Sequence, residues 1–189
     1  MNTNVLGWIR LTQMALPYIR VSHGRLIFMS SVAATINPFG AGPYSISKNA
    51  IRSLATTLRH ELFDSNVAVS IMSTGCVKTP IFAQSSFDHS EFAGEKATNY
   101  NMIYQAAKFR LGDLCAEMAP FPNVSSTPDI VHAITSPYPR TDYFHGFYFG
   151  MPVRMVNLVE QFLPARLMDL YMGKLAMPAV RLQYWWWEP

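Results

Sequence analysis

Two short apolar runs bracket a long helical pattern in the first half of the chain, and that order leaves few ways to fold. The run from Arg25 to Ser30 (RLIFMS) follows Gly24 and reads as a buried strand. From Tyr44 to Phe63, Ile46, Ala50, Ile51, Leu54, Leu58 and Leu62 recur near the 3.6-residue period and predict a helix with those side chains inward. Val67 to Met72 (VAVSIM), after Asn66, reads as a second buried strand. A strand, a helix and a strand in such close succession form a βαβ unit, so the two strands have to run parallel.

The flanking segments extend this α/β pattern. Asn4 to Ile19 predicts a helix ended by His23-Gly24, and Ser31 to Pro43 reads as a loop punctuated by Pro38, Gly40, Gly42 and Pro43. Ser73 to Pro80 is the loop at the carboxyl end of the second strand, where open α/β sheets bind ligands. Residues 82–124 form an insertion with a helix expected from Met102 to Met118. Thr127-Pro128-Asp129 is a helix start, with proline in the first turn and an acid beside it. Tyr143 to Phe149 is a third strand candidate, and residues 151–189 read as two short helices split at Pro164 and a Trp-rich end.

Composition excludes several functions. Half of the 189 residues are hydrophobic and 14% are charged, which describes a globular chain. The net charge of +3 comes without a dense Lys/Arg stripe, so nucleic acid is not an expected partner. The histidines are scattered and no metal-ligand spacing emerges. Cys76 and Cys115 make no disulfide framework, and a reducing, cytoplasmic setting is the default expectation.

One pair of side chains carries chemistry. Tyr44 and Lys48 stand four apart on the predicted helix, on one face and roughly 6 Å apart at Cβ. A free phenol has a pKa of about 10. A neighbouring ammonium favours the phenolate, which makes a proton donor and acceptor usable nearer neutral pH. Ser31 lies thirteen residues before Tyr44 and Asn4 a further twenty-seven before that serine.

Taken together, Asn4, Ser30-Ser31, Pro43-Tyr44-Ser-Ile-Ser-Lys48 and Leu58-Arg59-His60-Glu61-Leu62 resemble the short-chain dehydrogenase/reductase family over roughly residues 1–150. The stretch from Ser73 to Pro80 (STGCVKTP) is similar to the family's cofactor loop, with Thr74 in place of its proline. The resemblance implies an incomplete Rossmann-like, doubly wound parallel sheet (its C-terminal half) followed by a helical extension over 151–189. It implies Tyr44 as general acid and base, Lys48 beside it and on the ribose of a nicotinamide cofactor, Ser31 on the substrate oxygen, and Asn4 on a water leading to Lys48. Gly75, Val77 and Thr79 would join Tyr44 and Lys48 at the cofactor, with NADP expected and NAD left open.

The family's glycine-rich pyrophosphate turn has no counterpart in this sequence, so the chain as written is expected to bind the cofactor weakly and to be unstable alone. The tail is loosely similar to that of fungal acyldihydroxyacetone-phosphate reductases and related lipid- or steroid-type enzymes. That favours a hydrophobic carbonyl or alcohol substrate, lipid-like or a secondary metabolite. Arg154, Asn157, Glu160, Arg166, Asp169 and Lys174 form a narrow polar stripe on the tail. Trp185 to Trp187 adds the residue type that gathers at bilayer interfaces, so peripheral contact with a membrane or lipid surface and a homo-oligomer are both kept as expectations. The alternative reading is a non-catalytic remnant of the family that serves as a membrane-associated or partner-binding module.

Overall fold

In the computed structural model, strand β1 (Arg25–Ser31) pairs in parallel with β2 (Ala68–Thr74), and β2 with β3 (Asp142–His145), in the order β1-β2-β3. The structure describes residues 1–38, 41–76, 126–148 and 151–176, with side chains up to residue 170. Val77, Thr79, the 82–124 insertion and the tryptophans at 185–187 lie outside the described residues.

Chain alternation explains how the sheet is covered on both faces. Leu26 and Phe28 of β1 face helix α3 (Gly42–Glu61), and Ile27 and Met29 face the opposite side, where helix α4 (Thr127–Thr135) packs. Phe28 meets Ile51, Ala55, Leu58 and Leu62 of the α3 segment together with Val69 and Ile71 of β2. On the other face Met72, Ala133 and Tyr143 form a second cluster with Ile27, Met29 and Ile130. Helices on both faces of a parallel sheet make the doubly wound pattern expected from the βαβ unit.

Helix α3 begins two residues earlier than its apolar pattern predicts, with Pro43 in its first turn, where a missing N–H is harmless. Its rotation also differs from the expectation. Ile46 is exposed, and Ser45, Ser47, Ile51, Ala55 and Leu58 are the buried positions. The polar serines turn inward because the helix is set by the row Ile51, Ala55, Leu58, which continues one turn back to Ser47.

Before β1, a π-helical turn (Asn2–Leu6) runs into helix α1 (Gly7–Val21), where one regular helix was predicted from Asn4. Trp8, Leu16 and Ile19 pack inward, and Leu11, Met14, Tyr18 and Val21 form an exposed row. The predicted loop after β1 contains a short helix, α2 (Ala33–Ile36), buried through Ala33, Ala34 and Ile36 and ended by Asn37 at φ 45°.

The expected strand from Tyr143 to Phe149 is broken. Gly146 adopts φ +81°, which separates β3 from β4 (Phe147–Tyr148), and β4 pairs antiparallel with β5 (Met151–Pro152). Helices α5 (Val153–Phe162) and α6 (Ala165–Ala176) follow, split at Pro164 as the sequence indicates, with Leu163 extended before the proline. Cys76 is disulfide-bonded, which the expectation of a reducing setting without a disulfide framework does not anticipate.

One edge of the sheet has no strand beside it among the described residues. Gly24 O accepts from Ala68 N and Val32 N donates to Thr74 O, so the even residues of β1 direct their backbone groups toward β2. By the alternation of a parallel ladder, Ile27 and Met29 direct theirs outward. Unpaired edge groups of this kind are a template for further pairing.

Candidate active site

The carboxyl ends of β1 and β2 and the first turns of α3 converge on one small region. Ser31 closes β1 opposite Thr74 of β2. Its Oγ accepts from Ala33 N at 3.2 Å, which shapes the entry to α2, and donates to Thr74 O at 3.4 Å. The second contact is long for an O–H···O bond, so the hydroxyl proton is weakly held. Neighbouring Ser30 is engaged elsewhere, since its Oγ donates to Lys48 O at 3.0 Å and fastens α3 to the strand.

Tyr44 is 45% exposed, and its hydroxyl makes no hydrogen bond among the described residues. Lys48, one turn on, is half-buried, with Nζ 5.7 Å from the centroid of the Tyr44 ring. The ammonium donates to Met29 O at 3.1 Å. That carbonyl is one of those directed away from β2, so Lys48 satisfies an acceptor that has no strand beside it among the described residues. Burial pushes the Lys48 ammonium below its ordinary value of 10.5.

Asn4 lies in the π-helical turn, a helix irregularity that recurs at functional sites. Its Nδ2 donates to Ser47 Oγ at 3.3 Å, and Ser47 Oγ donates to Tyr44 O at 2.7 Å. The structure thus brings Asn4 to the same turn of α3 as Tyr44 and Lys48. Its amide partner is Ser47, which sequence reasoning missed. The available signal was a small hydroxyl residue three positions after Tyr44, next to Lys48.

Gly75 follows β2 directly. A Cβ there would collide with Phe147 O and come within 2.7 Å of Val153 Cγ2. Gly75 N also donates to His145 O at 2.8 Å. Glycine is therefore required here to let β4 and α5 close against the end of β2, a structural demand independent of any cofactor.

Beyond this region, Arg52 holds α3 across the sheet, 3.4 Å from Ser73 Oγ and 3.3 Å from Asp142 Oδ1, with Arg59 4.0 Å from Asp142 Oδ2. A cavity of about 350 Å³ lined by Asp129, Arg140, Asp142, Phe144 and Arg154 lies beside β3 and includes none of Ser31, Tyr44 or Lys48.

The residues present suit the ribose end of a nicotinamide nucleotide. Lys48 uses one of its three donors on Met29, and the open Tyr44 hydroxyl can donate or accept, which matches a pair of vicinal hydroxyls. Nothing in this set addresses a pyrophosphate.

Residues 1–90 match the family described as short chain dehydrogenase. Mouse (Mus musculus) retinol dehydrogenase 16 is 30% identical over 183 residues, covering 89% of this chain and 54% of that protein. Mouse 17-beta-hydroxysteroid dehydrogenase type 6 is 30% identical over 176 residues, covering 88% of this chain and 53% of that protein. The 3-amino-tetrahydro-pyrrolizinone reductase of Xenorhabdus hominickii is 35% identical over 105 residues, 56% of this chain and 37% of that protein. The chain spans about half the length of the retinol and steroid dehydrogenases it matches.

The buried ammonium gives a measurable consequence. Because Lys48 is lowered on folding, its protonated form opposes folding. That penalty is fully present below the folded pKa and vanishes as pH rises toward 10.5. In an NMR titration of ¹³C-labelled lysine side chains, Lys48 is expected to lose its proton at a lower pH than an exposed lysine; a midpoint at or above 10.5 contradicts this environment.

Proposed function

We propose that this chain, which belongs to the short-chain dehydrogenase/reductase family, carries the proton-transfer half of an NAD(P)-dependent oxidoreductase that interconverts a hydrophobic carbonyl and its alcohol. The observation that carries the reading is the open Tyr44 hydroxyl one helical turn from a half-buried lysine, beside the Ser31 end of β1.

Each residue is assigned a role in that reaction. Tyr44 Oη gives a proton to the substrate oxygen in reduction and takes one in oxidation. The Lys48 ammonium stabilises negative charge on the phenol while the proton is away, and its remaining donors would hold the ribose of a bound cofactor. Ser31 Oγ exchanges its long bond to Thr74 O for one to the substrate oxygen, where charge develops. Asn4 is assigned a water that leads toward Lys48. The nicotinamide nucleotide, when bound, supplies or accepts the hydride. Gly75, Val77 and Thr79 are assigned to cofactor binding, and NADP is favoured over NAD.

The names of the mammalian relatives point to retinol and hydroxysteroids as their substrates, and a flat, lipid-like alcohol or ketone is the substrate class proposed here. A surface feature supports delivery from a lipid phase. Met155, Leu158 and Phe162 are exposed on one face of α5, Leu167 and Leu170 are exposed on α6, and Arg154 and Arg166 on the same two helices are exposed as well. No helix among the described residues is long and apolar enough to cross a membrane, so the proposed contact is peripheral. The exposed row on α1 is the surface assigned to a second copy in a homo-oligomer.

Two measurements test this reading. In the protein carrying this site, Tyr44→Phe is expected to lower turnover of a steroid or retinoid substrate by about 100-fold or more, a far larger loss than the one in NADPH affinity that follows from removing one ribose contact. Retained turnover would remove Tyr44 as the acid. In sedimentation with vesicles of phosphatidylcholine and phosphatidylserine, Phe162→Glu is expected to weaken binding about 10-fold; equal binding by both forms would rule out these exposed residues of α5 and α6 as the contact.

A further inference from the structure

A hydroxyl proton is seldom located directly, but at Ser47 chemistry dictates where it lies. Ser47 Oγ is 2.7 Å from the carbonyl oxygen of Tyr44, one turn earlier in α3. Two oxygens that close need a proton between them, and a carbonyl has none to give. The Ser47 hydroxyl therefore donates to Tyr44, and only its lone pairs face elsewhere. One of them meets Asn4 Nδ2 at 3.3 Å.

An acceptor at that place selects the NH₂ end of the amide. The two ends of an asparagine side chain are otherwise hard to tell apart. Here the committed serine proton removes the ambiguity and turns Asn4 Oδ1 away from Ser47. Ser47 is 2% exposed, so bulk water does not compete for either bond. Ser45, two residues earlier and equally buried, offers a contrast: its Oγ has no hydrogen-bond partner. Burial alone therefore does not account for the bonding of Ser47. Among the described residues, the Asn4–Ser47 contact is the side-chain hydrogen bond that ties the π-helical turn to α3.

We propose that Ser47 is a positioning residue, which fixes the orientation of the Asn4 amide against the helical turn that carries Tyr44 and Lys48. The catalytic use of Asn4 rests on the function proposed above; the orientation of its amide does not. Ser47 is buried, and its part in the site is to act through Asn4. It couples two parts of the site that are far apart in sequence, so that a shift of the π-helical turn is felt at Tyr44.

Backbone hydrogen exchange in the full 189-residue chain, without any added ligand, tests this. Threonine and valine have the same shape and the same stiffness at χ1, and differ by the hydroxyl. Ser47→Thr is expected to keep the amides of Val5, Leu6 and Gly7 as protected as in the wild type. Ser47→Val is expected to raise their exchange about 5-fold, the effect of one ordinary net hydrogen bond. Ser45→Ala is expected to leave them unchanged. A valine variant as protected as the threonine variant, or a threonine variant that exchanges as fast as the valine one, overturns the proposal, because packing would then set the turn. The readout needs no turnover, so a chain without activity would count against the proposed function and leave this inference standing.

Discussion

The seating of α3 on β1 and β2 is the contact on which the rest depends. Ala55 is fully buried at its centre, with Ile51 and Leu58 on either side and Phe28 below. A residue this small lets the helix backbone approach the sheet closely, and a close, fixed approach sets the helix's rotation. Every polar contact of the site then follows. Ser30 reaches Lys48 O, Lys48 reaches Met29 O, Arg52 reaches Ser73, and Arg52 and Arg59 flank Asp142 of β3. The packing that stabilises the fold is also what presents Tyr44 to solvent with an ammonium near its ring.

The parallel order of the sheet was legible because buried strands and a long helix leave clear marks. So was a helix that carries Tyr44 and Lys48 one turn apart. The rotation of α3 was not. Ile46 was expected inward on hydrophobicity, yet Ser45 and Ser47 are the buried residues, because tertiary packing of Ile51, Ala55 and Leu58 outweighs the preference of one side chain. The break at Gly146 was invisible for a related reason: a single positive φ ends a strand without altering its apolar pattern. Asn4 was placed at the site by family likeness, but its partner Ser47 depends on a contact between positions far apart in sequence, which no local pattern encodes.

The edge of β1 that has no strand beside it among the described residues connects stability to chemistry. Met29 O points out of the sheet, and the structure answers it with the Lys48 ammonium in place of a backbone N–H. A charge drawn partly into the interior opposes folding, and the same burial makes the amine easier to deprotonate. The residue proposed to assist proton transfer is therefore also the one that satisfies an edge carbonyl.

The central claim is that the Tyr44 phenol exchanges the proton. Replacing Tyr44 by fluorinated tyrosines tests it most directly, because fluorine makes the phenol more acidic with little change of shape. If Tyr44 is the acid and base, the limb of the pH–turnover profile governed by the phenol moves to lower pH as fluorines are added. A profile that stays in place while the phenol becomes more acidic would contradict the account.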